Sequence, residues 1–215
     1  MNGTSQPNLS GRTVGIIGLG LMGVPMARQL WAAGATLRVW NRSMAKASSL
    51  ADEIGGTEVC QNPGDVATGA VATIVMVTDA DAVEAVVFDP EVGVAKHLEK
   101  DSLLIDMGTT SVLRTRSFAD HLRASGAEWL DAPVSGGTVA AETGALTIMA
   151  GGSDTAYQRA LPLFETMGQQ ITHVGAIGAG QIAKSANQMI VGLTIGAVAE
   201  AFALARRAGV EPAKI

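Results

Sequence analysis

The sequence predicts an α/β fold in which a doubly wound, mostly parallel sheet precedes a long helix that begins an incomplete all-α domain. Short apolar runs alternate with longer segments of mixed polarity, as repeated βαβ units require. Closely spaced glycines follow the first apolar run, and residues 181–208 form a proline-free, mostly apolar stretch. These patterns indicate an open sheet first and helical packing afterwards.

Seven apolar runs are candidate strands. The first four contain few charges, which is typical of parallel strands that are buried on both faces. The runs are Val14–Ile17, Thr36–Trp40, Thr73–Val77, Leu103–Asp106, Glu128–Leu130, Leu146–Ala150 and Ile171–Val174.

The segments after the first four runs have the composition of helices. Gly34 and Gly126 follow two of them at positions typical of helix C-caps. Asp79 and Asp81 lie at a helix start, where carboxylates cap N–H groups. The segments are Val24–Ala33, Ser43–Ile54, Ala80–Val87 and Ser111–Ala124.

Residues 181–208 predict a single helix about 42 Å long at 1.5 Å per residue. Small residues occur all round it, which favours burial between other helices. Its uncharged part, Ser185–Ala199, is shorter than the roughly 20 residues that cross a bilayer, so no membrane segment is expected. Residues Met1–Ser10 lack the features of a signal peptide and are interpreted as part of a loose leader covering residues 1–11.

Composition narrows the class of protein. With 47% hydrophobic and 16% charged residues the chain is globular, and a net charge of −5 without a basic stripe argues against nucleic-acid binding. The single cysteine, Cys60, excludes an intramolecular disulfide and fits a reducing compartment such as the cytoplasm. The three histidines, at 97, 121 and 173, lack metal-ligand spacing, so no metal site is expected.

The glycine-rich turn after the first run reads Gly18-Leu19-Gly20-Leu21-Met22-Gly23. Between a strand and a helix this GxGxxG spacing is typical of a dinucleotide-binding Rossmann fold: the first glycine allows the tight turn, the second a close approach to pyrophosphate, and the third close packing. The helix N-terminus adds N–H groups and a partial positive charge. FAD stays possible in principle, although nothing else in the sequence is specific for a flavin.

The end of the second strand indicates which nicotinamide cofactor is used. Asn41-Arg42-Ser43 contains no carboxylate for a ribose 2′-OH and places a guanidinium where a 2′-phosphate would lie. This favours NADP(H), with NAD(H) possible.

Three further motifs accompany the turn and its continuation, GLGLMGVPMA over residues 18–27: DAPVSGG over 131–137, Gly178-Ala179-Gly180-Gln181, and KSANQ over 184–188. Together they resemble the β-hydroxyacid dehydrogenase family, above all its 3-hydroxyisobutyrate dehydrogenases and tartronate semialdehyde reductases. The resemblance covers residues 12 to 215. It implies an NAD-binding domain like that of 6-phosphogluconate dehydrogenase, and hydride transfer between a nicotinamide and a small β-hydroxy acid or its semialdehyde.

The resemblance also assigns site residues. It places Ser135, Gly136 and Gly137 around the substrate carboxylate. It also implies that Lys184 is the catalytic lysine and that Asn187, the second predicted catalytic residue, binds the substrate. Gln188 lies beside them on the helix, as a further substrate contact. Thr109 is expected near the nicotinamide, and Met76, Val77 and Thr78 are expected to border the cofactor from a strand end.

Members of that family continue past the long helix into a complete helical domain that builds much of the subunit interface. The expectation is therefore a C-terminally truncated chain of a homo-oligomer such as a dimer. The expected division is a leader at 1–11, an NADP-binding domain at 12–178, and the helix and start of the helical domain at 179–215.

Two alternatives stay open. An imine reductase shares the cofactor fold, although the lysine and the DAPVSGG turn argue against it. A cofactor-binding or dimerising module without turnover is the other, and turnover measurements would separate it from an enzyme.

Overall fold

A computed structural model describes residues 7–215 and shows one mixed sheet flanked by helices. The strands are β1 Thr13–Ile17, β2 Thr36–Trp40, β3 Thr57–Val59, β4 Ala72–Val75, β5 Leu103–Asp106, β6 Glu128–Asp131, β7 Val134–Ser135, β8 Leu146–Gly151 and β9 Gly168–Gly175. The helices are α1 Gly23–Ala32, α2 Met44–Glu53, α3 Ala80–Val87, α4 Val112–Arg123, α5 Gly137–Glu142, α6 Asp154–Met167 and α7 Ala179–Arg207.

The sheet has the predicted doubly wound form. Its strand order is β3-β2-β1-β4-β5-β6-β8-β7, and β9 also pairs with β8. The pairs from β3 to β6 are parallel, whereas β6 and β7 pair antiparallel with β8. Because the chain moves outward from β1 in both directions, a crevice opens at the carboxyl end of β1, where doubly wound sheets bind ligands.

Both faces of the sheet are covered, which explains why the central strands contain so few charges. Successive residues of a strand point to opposite faces. Ile16 and Ile74 therefore join one buried apolar cluster, with α1 and α6, while Ile17 and Val75 join a second cluster with α3 and α4. Continuous apolar runs are the sequence pattern that this two-sided burial produces.

Several elements differ from the sequence prediction. The short strands β3 and β7 were not predicted, because two or three residues show no measurable periodicity. β4 ends at Val75, two residues earlier than predicted. The predicted loose leader is wrong in its last residues: Leu9 is fully buried, and its N–H donates to the carbonyl of Ala33 at 2.8 Å. Residues 1–6 of that leader lie outside the described residues.

Helix α7 is a single 29-residue element, as predicted. Its first turns pack against β8 and β9, but its outer turns are exposed, with Leu193 at 74%. The predicted burial between helices is therefore wrong for the described chain, because these turns lie outside its packed layers. By length and composition α7 could also cross a membrane, so the shortness of its uncharged part does not exclude a span.

Candidate cofactor and substrate site

The carboxyl ends of the central strands lie at one level. Ile17 is paired with Trp40 on one side and with Val75 on the other, and Val75 is paired with Asp106. The chain segments that follow these four residues therefore leave the sheet side by side. This brings together the turn at 18–23, the loop at 41–43, the segment 76–78 and the loop 107–110.

The three glycines of the turn have different surroundings. Gly18 has a φ of 97°, and a Cβ there would lie 2.2 Å from the carbonyl oxygen of Met76. A Cβ on Gly23 would lie 1.9 Å from the carbonyl oxygen of Gly18, so both positions exclude a side chain for internal reasons. A Cβ on Gly20 would meet nothing within 4 Å. The open space at Gly20 is the cradle that a pyrophosphate needs in order to approach the backbone.

The N-terminus of α1 faces this turn. The helix begins at Gly23 without a side-chain cap and without an acidic residue in its first turn. The N–H groups of Val24 and Met26 are bonded to the carbonyls of Gly20 and Met22 at 3.2 and 3.1 Å, so what the helix end offers an anion is its partial positive charge, with no side chain or carboxylate in the way. The turn and the helix end fit the diphosphate of a dinucleotide.

Asn41 has a role that the sequence did not reveal. Its Oδ1 accepts the N–H of Leu19 at 2.9 Å, and its Nδ2 donates to the carbonyl of Ser43 at 3.1 Å. The side chain thus ties the glycine turn to the loop after β2, and the Leu19 N–H is already engaged. Asn41 shapes the turn from 22 residues away along the chain.

Arg42 and Ser43 are both exposed beside this turn. Arg42 makes no hydrogen bond or ion pair with any residue of the range 7–215. Next to them a cleft of about 490 Å³ lies between the turn and α2, and its walls include Gly20, Leu21 and the exposed Lys46. The walls of the cleft also include Arg28, Glu53 and Glu142, whereas the loop directly after β2 carries Arg42 and no carboxylate.

The segment after β4 lies next to the turn. Met76 and Val77 are half-buried, whereas Thr78 is exposed and donates to Asp79 at 3.0 Å. Asp79 caps α3 by accepting the N–H of Ala82 at 2.9 Å, as predicted, and these bonds lower the pKa of its carboxyl. Asp81 instead pairs with Arg114.

A buried carboxylate at the end of β5 fixes the loop that follows this strand. Asp106 is fully buried and accepts hydrogen bonds from the N–H of Gly108 and the hydroxyl of Thr110, each at 3.0 Å. Burial raises the pKa of Asp106 to about 7, and the nearby Asp131 adds to the rise. Thr109, between these two anchored residues, is exposed at the crevice.

A second buried carboxylate anchors the start of α7. Asp131 accepts the N–H of Gly178 at 2.7 Å and that of Gln181 at 2.8 Å, and burial raises the pKa of its carboxyl to about 6. A Cβ on Gly180 would lie 2.3 Å from the carbonyl oxygen of Met149. The helix therefore begins in direct backbone contact with the end of the sheet, which accounts for the Gly178-Ala179-Gly180 spacing.

Gln181 connects α7 to the loop after β5. Its side chain is completely buried, with Oε1 accepting the N–H of Thr110 at 3.0 Å and Nε2 donating to the carbonyl of Gly108 at 2.9 Å. No local pattern in the sequence indicated this bridge.

Lys184 lies one helical turn beyond Gln181. It is only 8% exposed and has no hydrogen-bond or ion-pair partner within residues 7–215. Burial without a counter-charge disfavours the ammonium form and lowers the pKa of Lys184. Asn187 follows on the same face, half-buried, and its Nδ2 donates to the Oε1 of the exposed Gln188 at 3.2 Å.

The turn after β7 contains the other predicted substrate residues. Gly136 and Gly137 have φ values of 121° and 67°, which a residue with a Cβ rarely adopts. Ser135 is half-buried, and its hydroxyl has no hydrogen-bond partner in the described part of the chain. Two flexible glycines and one hydroxyl can surround a small anion.

Metal chemistry has no candidate ligands in residues 7–215, where no group of three His, Cys, Asp or Glu side chains could hold an ion. Cys60 is a buried free thiol. The arrangement thus offers a phosphate cradle and the amine of a mostly buried lysine without a counter-charge in the described residues, and the loop after β5 and Gln181 connect the two. These parts suit proton transfer beside a bound dinucleotide.

Comparisons with known proteins agree with this geometry. Residues 13–175 match the family described as the NAD binding domain of 6-phosphogluconate dehydrogenase. Residues 178–215 match the family described as NAD-binding of NADP-dependent 3-hydroxyisobutyrate dehydrogenase.

Individual relatives are similar over almost the whole chain. The chain is 40% identical over 205 residues to the 2-hydroxy-3-oxopropionate reductase of Escherichia coli, a match that covers 94% of the chain and 68% of that protein. It is 38% identical over 200 residues to the mitochondrial 3-hydroxyisobutyrate dehydrogenase of Homo sapiens, covering 93% of the chain and 58% of that protein. The chain thus spans between 58% and 68% of the length of these relatives.

Solved structures show the same fold. The Mycobacterium tuberculosis 3-hydroxyisobutyrate dehydrogenase, solved with L-serine, matches with a TM-score of 0.86 at 34% identity, covering 93% of this chain and 67% of its own. An imine reductase from Myxococcus stipitatus shares the fold at only 22% identity. The chain therefore belongs to the β-hydroxyacid dehydrogenase family, whose members are NAD(P)-dependent oxidoreductases acting on CH–OH groups.

Proposed function

We propose that this chain contains the cofactor-binding and proton-transfer parts of an NADP(H)-preferring enzyme that interconverts a small β-hydroxy acid and its semialdehyde. The observation that carries the proposal is Lys184, a lysine only 8% exposed whose amine has no counter-charge among the described residues. It lies one turn from Gln181, which is bonded to the loop after β5 at the cofactor crevice.

The dinucleotide would be held along the carboxyl edge of the sheet. Residues 18–23 would bind its pyrophosphate, and Asn41, Arg42 and Ser43 would face its adenosine ribose. Residues 76–78 and Thr109 would border its nicotinamide. The exposed Arg42 has no partner in the described residues, and a 2′-phosphate would supply one through charge-assisted bonds. This supports NADP(H) as the preferred cofactor, with NAD(H) as a weaker ligand.

When bound, the nicotinamide supplies or accepts the hydride. Lys184 moves a proton to or from the substrate oxygen, and its lowered pKa makes both of its protonation states accessible nearer to neutral pH. Asn187 orients the reacting oxygen, and Gln188 extends the same helix face. Ser135, Gly136 and Gly137 bind the substrate carboxylate.

The relatives suggest the substrate class. The Escherichia coli protein is named for a semialdehyde and the human protein for a hydroxy acid.

We propose that residues 12–178 form the nucleotide-binding unit and that residues 179–215 supply Lys184 and begin the all-α region. The exposed apolar turns of α7 support a homo-oligomer, and the buried polar residues of its first turns argue against a membrane span. The cytoplasm is the proposed location, and nucleic acid is not a proposed partner.

A substrate panel tests the proposed function. The protein is assayed with small hydroxy acids and semialdehydes, each with NADPH or NADH for reduction and NADP⁺ or NAD⁺ for oxidation, at several pH values. For the complete enzyme the expected result is turnover of a β-hydroxy acid or its semialdehyde, with NADP(H) preferred, whereas residues 1–215 alone should bind NADPH with little or no turnover. Tight cofactor binding without turnover of any member by the complete enzyme would instead favour a cofactor-binding module.

A further inference from the structure

We propose that Gln181 is a positioning residue that fixes the Lys184 helix to the loop beside the nicotinamide, and so sets where the amine stands relative to the reacting atoms. This inference rests on the proposed function. Nothing in the family comparison assigns a role to this side chain.

The amide of Gln181 joins two backbone groups that lie more than 70 residues away along the chain. It accepts the N–H of Thr110 at 3.0 Å and donates to the carbonyl of Gly108 at 2.9 Å. Both contacts are made to the main chain on either side of Thr109, so they fix the path of the loop rather than one side chain. A carboxamide is the side chain that offers one acceptor and one donor in a single plane.

Both ends of this bridge are themselves anchored. Asp106 holds Gly108 and Thr110 from within the sheet, and Asp131 accepts the backbone N–H of Gln181 at 2.8 Å. A Cβ on Gly108 would lie 3.0 Å from the carbonyl of Val77, so the loop also lies against the segment after β4. Gln181 is thus the side-chain connection between two anchored parts of the cofactor crevice.

The position of Lys184 follows from this bridge. Residues three apart on a helix are neighbours on one face, so Lys184 projects beside Gln181. If the bridge is lost, the start of α7 keeps its backbone contacts with Asp131 and the sheet, but the helix and the loop lose the two bonds that fix their relative position. A misplacement of about 1 Å in a reacting group can cost roughly 100-fold in rate. The loss should appear in kcat, since the phosphate cradle lies on other elements.

Two substitutions separate positioning from packing. Gln181→Met keeps the side-chain length and apolar volume but removes both hydrogen bonds. Gln181→Glu keeps the acceptor for the Thr110 N–H and can donate to the Gly108 carbonyl only when the new carboxyl is protonated. Gln29→Met is the matched control, because Nε2 of Gln29 makes a comparable side-chain bond to the carbonyl of Glu142 at 2.6 Å, between α1 and α5.

Each variant is measured for kcat and KM, NADPH affinity, thermal midpoint, and the pH dependence of Lys184 modification by an amine reagent. For Gln181→Met we expect kcat to fall about tenfold or more with NADPH affinity nearly unchanged. The Lys184 modification profile should move to higher pH as the amine becomes better solvated. For Gln181→Glu the ratio of its kcat to the wild-type value should rise as the pH falls. Gln29→Met should change the thermal midpoint alone.

Wild-type kcat and an unshifted Lys184 profile in Gln181→Met would overturn the inference. The inference would also be overturned if Gln181→Met and Gln29→Met changed kcat, KM, NADPH affinity, the thermal midpoint and the Lys184 modification profile by the same amounts. If the wild-type protein turns over none of the panel substrates, the proposed function fails. The Lys184 modification profile still decides in that case whether Gln181 positions the amine.

Discussion

The glycine turn yields a prediction in which protein stability and ligand affinity change in opposite directions. We compare Gly18→Ala with Gly20→Ala, two residues apart in one turn. At Gly18 the φ of 97° costs a residue with a Cβ about 1–2 kcal/mol. The new Cβ would also stand 2.2 Å from the Met76 carbonyl oxygen, and such overpacking costs about 1–3 kcal/mol more. Gly18→Ala should therefore lose about 2–5 kcal/mol of folding free energy.

Gly20→Ala should behave differently. The new Cβ meets nothing within 4 Å, and Gly20 is not in the positive-φ region. Replacing such a glycine restricts the unfolded chain and stabilises the protein by about 0.4–1 kcal/mol. The same methyl group stands where pyrophosphate approaches. Loss of one hydrogen bond to a charged group costs about 1.5–3 kcal/mol, which corresponds to roughly 10- to 150-fold weaker cofactor binding.

Thermal denaturation and NADPH titration by fluorescence test the pair. The expected pattern is a lower thermal midpoint for Gly18→Ala, and for Gly20→Ala an unchanged or higher midpoint with NADPH affinity weakened at least about tenfold. If Gly20→Ala binds NADPH as the wild type does, the cradle is not at Gly20. If Gly18→Ala is as stable as the wild type, the backbone at Gly18 does not approach the Met76 carbonyl closely.

The other predictions concern three charged residues. Arg42→Ala should weaken NADPH binding by about 1.5–3 kcal/mol and leave NADH binding nearly unchanged; equal losses in the two titrations would remove Arg42 from the ribose site. In the complete enzyme, Lys184→Ala should lower turnover by about 100-fold or more while NADPH still binds, and turnover close to wild type would leave Lys184 a structural residue. In the wild type, because its pKa is lowered, the rate of alcohol oxidation should rise with pH and reach its plateau below 10.5. Asp106→Asn should change how the free energy of unfolding depends on pH. The pKa of Asp106 is about 7 in the folded protein and 3.8 ordinarily, so between these values folded Asp106 binds more protons than unfolded Asp106. The wild-type protein therefore loses stability as the pH rises from about 3.8 to about 7. Urea unfolding across that range should show a shallower fall in the variant, since only Asp131 then contributes strongly; an unchanged slope would contradict this assignment.

The central part of the fold was predictable because its pattern is local. The strands β1, β4 and β5 are mostly apolar runs buried on both faces, and the helices α1, α2 and α4 end near glycines. The short strands β3 and β7 form because a neighbouring strand offers them hydrogen bonds, which a stretch of two or three residues does not reveal. The hydrophobic pattern of α7 alone does not show its exposure, because a helix that is apolar all round looks the same in sequence whether or not it is covered.

The candidate site was likewise predictable only in part from the sequence. The different demands on Gly18, Gly20 and Gly23 follow from their spacing, and the burial of Lys184 agrees with its small neighbours. Asn41 and Gln181 act across 22 and 71 residues of sequence, so their partners appear only when the sheet is assembled. The buried state of Asp106 likewise depends on the elements that cover the end of β5.

The anchoring of α7 at one end has a mechanical consequence. The helix is fixed where the backbone of Gly180 contacts the sheet, and it is about 43 Å long, so it can tilt about this fixed point. Lys184 lies about 6 Å from Gly180 along the helix and Arg207 about 40 Å from it, at 1.5 Å per residue. A tilt that displaces the far end by about 2 Å therefore moves the backbone at Lys184 by only about 0.3 Å. Whatever packs against the outer turns can vary in its fit while the amine stays within catalytic tolerance.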